Sequence, residues 1–135
     1  MRRPLVLLAL FVAGCPGSLG DPARFTAACP NVPGELFVQR CATASCHSAA
    51  AKVAALDLES ADVSARLVNV KASNGELLID PINPDGSVLI RKLTASPPFG
   101  ERQPPGAPLD PATIECVRSW ARSAAKSAAP DMAMP

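Results

Sequence analysis

Residues 94–109, "TASPPFGERQPPGAPL", hold five prolines and two glycines in sixteen positions, a density that no helix or strand tolerates. Eight of the 15 prolines in the chain fall between Pro81 and Pro111. Regular structure must therefore lie mainly before or after this stretch, which serves either as a spacer or as a rigid wall for a site. Just beyond it, Asp110 can cap a helix and Pro111 suits the first turn. The following "ATIECVRSWARSAAKSA" predicts the clearest helix of the chain. Ile114, Val117, Ala121 and Ala124 form one apolar stripe with Trp120 beside it as a core residue, while Glu115, Arg118 and Arg122 face away.

Ahead of the loop the signals are shorter. A helix is expected from near Pro33 through "GELFVQR" towards Cys41, with Phe37 and Cys41 on one face. "SAAAKVAALDLE" is small and ambiguous. "SADVSARLVNV" starts with Ser60 as a cap and predicts Val63, Leu67 and Val70 on one side of a helix. "NPDGS" signals a turn, after which Ser87 caps a short helix through Leu93. The expected fold class is mostly α, a small helical domain with long Pro-rich loops. Its core is short of large side chains: there is no Tyr, and the aromatics are four Phe and one Trp. Such a domain needs a disulfide, a metal or a cofactor in support. With 13 Lys+Arg against 12 Asp+Glu and no basic stripe, nothing points to nucleic acid.

The N-terminus reads as an address. Arg2 and Arg3 precede "LVLLALFVA", an apolar run too short to span a bilayer, and then comes "VAGC". This resembles the bacterial lipobox, which implies a signal peptide over 1–14 and lipidation at Cys15. Residues 15–28 then form a lipidated tether, 29–126 the domain and 127–135 a disordered tail. Removing residues 1–14 leaves 11 basic against the 12 acidic residues. The expected location is the cell envelope, anchored through lipid and facing the periplasm or exterior. In that setting thiols seldom stay free, and Cys29, Cys41, Cys46 and Cys116 allow three pairings if all are disulfides. If Cys41 and Cys46 are taken by a cofactor, Cys29 and Cys116 remain as a pair.

The chemistry sits in "RCATASCHS". A cysteine pair followed at once by histidine is the pattern of c-type haem attachment, but the usual spacer is two residues and here it is four. On a helix, residues three apart differ by about 60° around the axis and residues five apart by about 140°. Cys41 and Cys46 cannot meet one porphyrin edge from a regular helix, so the extra residues must bulge or unwind. "ATAS" suits that, with small side chains and hydroxyls able to bond freed backbone groups. Three other readings stand beside haem: a Cys41–Cys46 disulfide next to an incidental His47, a zinc site, and a Cys–His nucleophile.

With "RCATASCHS", the segments "LDLESADVSARLV", "DPINPDGSVLIRKL" and "PPGAPLDPATIECVRSW" follow in order, and together they resemble the small monohaem class I cytochrome c-like domains of bacterial lipoproteins, over roughly residues 35–125. The resemblance implies covalent haem c on Cys41 and Cys46, with His47 as an axial iron ligand. It further implies one-electron transfer with a redox partner protein, or gas binding or sensing at an open iron, rather than enzyme catalysis. The family's axial methionine would fall at Gln103, so the sixth iron position is expected to be weakly ligated or open. The tail methionines Met132 and Met134 are poor substitutes. The competing expectation is a haem-free, disulfide-held envelope lipoprotein with a binding or structural role.

Overall fold

The computed structural model describes residues 28–128. Cys15, the signal segment, most of the tether and the tail methionines Met132 and Met134 lie outside the described residues. The domain is mostly helical, and among the described residues there is no sheet. No helix there is long and apolar enough to cross a membrane.

The first element is a wide, π-helical stretch, Val32–Phe37, that runs straight into α1, Val38–Arg40. Asn31 starts it: its side chain accepts from the Gly34 N–H at 3.1 Å, and Pro33 takes the first turn. Then come a short 3₁₀ turn, Val53–Ala55, and α2, Val63–Leu67. A second 3₁₀ turn, Pro84–Gly86, leads into α3, Val88–Lys92, and the chain ends on α4, Pro111–Ala128. Helix α4 runs to Ala128, the last residue of the expected "ATIECVRSWARSAAKSA", so it continues two residues past the domain boundary drawn at 126.

Helix α4 is built as its sequence dictates. Asp110 accepts from the Thr113 N–H at 2.9 Å and from the Thr113 hydroxyl at 2.6 Å. Val117, Ala121 and Ala124 are buried and Ile114 is half-buried, with Ala125 widening the stripe. Trp120 is half-buried against Phe37, ring edge to face at 5.2 Å and 85°, a geometry that adds to plain area burial. Arg118 and Arg122 do more than face solvent. Arg122 grips Asp85 with two bonds of 2.9 and 3.0 Å, and both arginines reach Glu115. This surface network ties α4 to the Pro84–Gly86 turn, and the Arg122 guanidinium holds the Asp85 carboxyl below its usual range.

Two expectations for the middle of the chain are corrected. Ser60 does not cap α2; its hydroxyl and N–H go to Asp57, and the helix begins after Asp62, whose φ is +57°. Val70 does not continue the buried side of α2. That helix stops at Leu67 because Val68 is extended, and Val70 is exposed in a small folded-back loop. In that loop Leu78 N–H bonds the Val70 carbonyl at 2.7 Å, Ala72 N–H bonds that of Glu76 at 2.8 Å, and Gly75 takes φ +86° at the tip. Ser87 does precede α3, but its hydroxyl serves the chain before it, accepting from Asp80 N–H at 2.9 Å.

The core gathers Phe37, Leu58, Leu67, Ile79, Ile90 and Val117 around the middle of α4, with Cys41 packed at its edge. Cys29 and Cys116 are joined by a disulfide, which fastens the start of the domain to α4.

Candidate functional site

Cys41 sits where α1 stops. Its N–H donates to the Phe37 carbonyl at 2.8 Å, and the Ala42 N–H shares that carbonyl at 2.7 Å. The chain then curls. Cys46 N–H closes a turn on the Thr43 carbonyl at 2.9 Å, and His47 N–H returns to the Cys41 carbonyl at 3.1 Å. The two extra spacer residues are used up in this closed turn, so Cys46 does not continue the helical phase of α1.

The ring of His47 is fixed from one side. Its Nδ1 lies 3.0 Å from the Val53 carbonyl oxygen. A carbonyl only accepts, so Nδ1 carries the proton, and in the neutral ring Nε2 keeps the lone pair. That carbonyl is presented by an unusual backbone: Lys52, Ala54 and Ala55 have φ of 42°, 57° and 59°. Left-handed conformations cost a side-chain-bearing residue about 1–2 kcal/mol. Strain of this kind gathers where surrounding structure enforces it, commonly at functional positions. Here the enforcing bonds are Lys52 N–H to Ser48 at 3.0 Å, Val53 N–H to Cys46 at 3.0 Å, and Leu58 N–H to His47 at 2.8 Å.

Asp57 knots the end of the same segment. Its buried carboxylate accepts from the N–H groups of Glu59 and Ser60, each at 3.0 Å, and from the Ser60 hydroxyl at 2.7 Å. Arg66 donates to the backbone carbonyls of Asp57, Ser60 and Ala61. The Ser60 backbone and hydroxyl bonds, helped by the Glu59 N–H and the Arg66 charge, hold the Asp57 carboxyl at about 2.

Neither Cys41 nor Cys46 is in a disulfide, and both are half-buried. Burial pushes the Cys41 thiol up to about 11 in spite of the neighbouring Arg40 guanidinium. A neutral thiol of that kind makes a poor nucleophile at physiological pH. Among the described residues no group of three or more His, Cys, Asp or Glu side chains is arranged to hold a metal ion.

The Pro-rich loop reaches the motif through Arg40, whose guanidinium donates to the Ala107 carbonyl at 3.1 Å. The loop itself is pinned to α3. Lys92 Nζ donates to the carbonyls of Phe99 and Glu101, each at 2.7 Å, and sits 4.4 Å from the Phe99 ring centre. Arg102 donates to the Leu93 carbonyl at 2.8 Å. Gln103 is half-buried, its N–H donates to Lys92 at 2.7 Å, and the Gln103–Pro104 peptide is cis. The stretch is thus a braced wall rather than a slack spacer. Arg40, Asp57 and the Val53 carbonyl were not singled out from the sequence. A backbone acceptor leaves no trace in residue type, whereas "DLES" did carry an acid-and-hydroxyl turn signal.

No protein-family model matches this chain, and neither the characterised proteins nor the solved structures compared with it gave a significant match.

Proposed function

We propose that the chain is a small c-type cytochrome-like lipoprotein of the cell envelope. In this reading Cys41 and Cys46 hold haem c through thioethers, and His47 Nε2 binds the iron. The observation that carries it is the His47 Nδ1–Val53 bond of 3.0 Å. Metal-binding histidines commonly donate the far nitrogen to a carbonyl or carboxylate, which sets the tautomer and the ring orientation. Two unpaired thiols beside that histidine, on a turn that absorbs the long spacer, complete a donor set suited to covalent haem.

Bound haem would supply a one-electron iron couple, passed to and from a redox partner protein. The chain's own part is to orient the imidazole through Val53, to hold the Cys41 thiol at the edge of the core, and to brace the loop at Lys92 and Arg102. Gln103 occupies the position of the absent methionine, and an amide oxygen is a hard, weak donor beside a thioether. A haem-specific peroxidase stain on denatured protein tests the reading: wild-type should stain, and Cys41→Ser with Cys46→Ser should not. An unstained wild-type defeats it. In stained protein, Gln103→Met should raise the reduction potential and bring in a sulfur-to-iron charge-transfer band.

The second reading, a haem-free binding or structural lipoprotein, draws support from a core closed around its own side chains and fastened by Cys29–Cys116. The same stain separates the two.

A further inference from the structure

Resting on the reading of Cys15 as a lipidation site, we propose that the face around Trp120 and the Cys29–Cys116 disulfide lies against the headgroup layer of a zwitterionic phospholipid surface. The chain enters the domain here, because the disulfide roots Cys29 on α4. Cys15 and Cys29 are 14 residues apart. A random coil of that length has a root-mean-square reach of about 20 Å. A domain of about 100 residues has a radius of gyration near 13 Å, hence a width of roughly 33 Å. The tether is shorter than the domain is wide, so the rooted face is the one held towards the anchor.

That face has the matching chemistry. A cleft of about 340 Å³ opens beside Cys29, Pro30, Pro33, Cys116, Ser119 and Trp120, and no charged side chain lines it. Trp120 packs edge to face with Phe37, and no hydrogen bond within the described residues uses its indole N–H, which is not a buried orphan. An indole with an apolar body and a free N–H is the side chain most at home at a membrane–water interface. Arg118 and Arg122 of α4 pair with Asp85 and Glu115 away from the cleft, and Lys126 is exposed one turn beyond Ser123, where a lysine can reach lipid phosphate. On the other side of Trp120 a cleft of about 420 Å³ includes Glu59 and Asp62, which disfavours an anionic surface.

Hydroxyl-radical footprinting of the full acylated protein tests this, since Trp120 is the only tryptophan and its oxidation is read by mass spectrometry with or without cofactor. On phosphatidylcholine vesicles Trp120 labelling should fall at least fivefold relative to the Cys15→Ser protein, while Ile82, 92% exposed, labels equally in both. Ser123→Glu, at an exposed position in the uncharged cleft, should restore at least half of the Trp120 labelling without unfolding the helix. Vesicles with a third anionic lipid should protect less. An acyl mass at Cys15 with Trp120 still fully labelled on vesicles overturns the proposal alone. Absence of the acyl mass overturns the lipidation reading and this proposal together. Equal protection of Trp120 in the acylated protein with and without vesicles assigns the face to a protein contact and overturns the lipid surface.

Discussion

Helix α4 and the segment from Cys41 to Asp62 solve the same problem by opposite means. In α4 every local rule agrees: an Asp cap, a Pro in the first turn, a small apolar stripe and arginines on the outer face. Its backbone satisfies itself, and its side chains only have to pack. The segment 41–62 has almost no repeating hydrogen bonds and is held by singular ones, His47 to Val53 and Ser60 to Asp57 among them. It also accepts left-handed φ at Lys52, Ala54, Ala55 and Asp62. A regular helix needs only composition and spacing, whereas an irregular loop that presents a histidine needs particular atoms in particular places.

The largest test of the contrast removes what fastens the two ends of the domain. Cys29→Ser with Cys116→Ser opens a crosslink spanning 87 residues, which the chain-entropy model values at about 4–5 kcal/mol. Chemical denaturation should report a loss of that order, with α4 loosened first by amide exchange. An unchanged midpoint would mean that packing alone holds α4.

Acid should undo the irregular segment before the helix. Asp57 is depressed to about 2 by its Ser60 bonds from an ordinary value of 3.8. Its contribution to stability is complete above about pH 4 and disappears as pH falls through about 2, because the unfolded state binds the proton more readily. Asp57→Asn should flatten the stability profile across that window. A profile as steep as wild-type would assign the acid limb to other carboxylates.

The smallest test is the most pointed: the same substitution should have opposite signs in the two regions. Ala121→Gly in buried mid-α4 should cost at least ~1 kcal/mol, from helix propensity and a lost core methyl. Ala55→Gly, at φ +59°, relieves a left-handed Ala worth about 1–2 kcal/mol, against about 0.4–1 kcal/mol of added unfolded-state entropy. A net gain of roughly 0.5 kcal/mol is expected. A loss at both positions would show that Ala55 is unstrained.

This asymmetry also governs how much could be read in advance. The mostly helical class, α4 with its cap and the turn before α3 followed from residue type, because each rests on local preferences. Ser60 misled because a hydroxyl is drawn to whichever partner the fold brings, and Asp57 was closer than the open end of α2. Val70 misled because an apolar residue on helical spacing counts only if the helix continues. The Asn74–Gly75 pair, a recognised reversal signal, marks the folded-back loop that replaced it. Of the site, the Cys41–Cys46–His47 trio was visible as letters. Its supporting carbonyl at Val53 was not, and neither were the left-handed alanines, since Ala carries no preference that announces φ above zero.

If the chain is exported as proposed, the Cys29–Cys116 crosslink has a consequence for the order of events. In a chain delivered N-terminus first, Cys29, Cys41 and Cys46 arrive together, and Cys116 follows 70 residues after Cys46. If delivery keeps pace with synthesis, at about 5–20 residues per second, that is a wait of roughly 4–14 s. Throughout it the only oxidation partners open to Cys29 are wrong ones. Capture of Cys41 and Cys46 by a cofactor in that interval would leave Cys29 without a rival when α4 appears. A chain that emerges uncaptured would instead depend on disulfide reshuffling to reach the same crosslink.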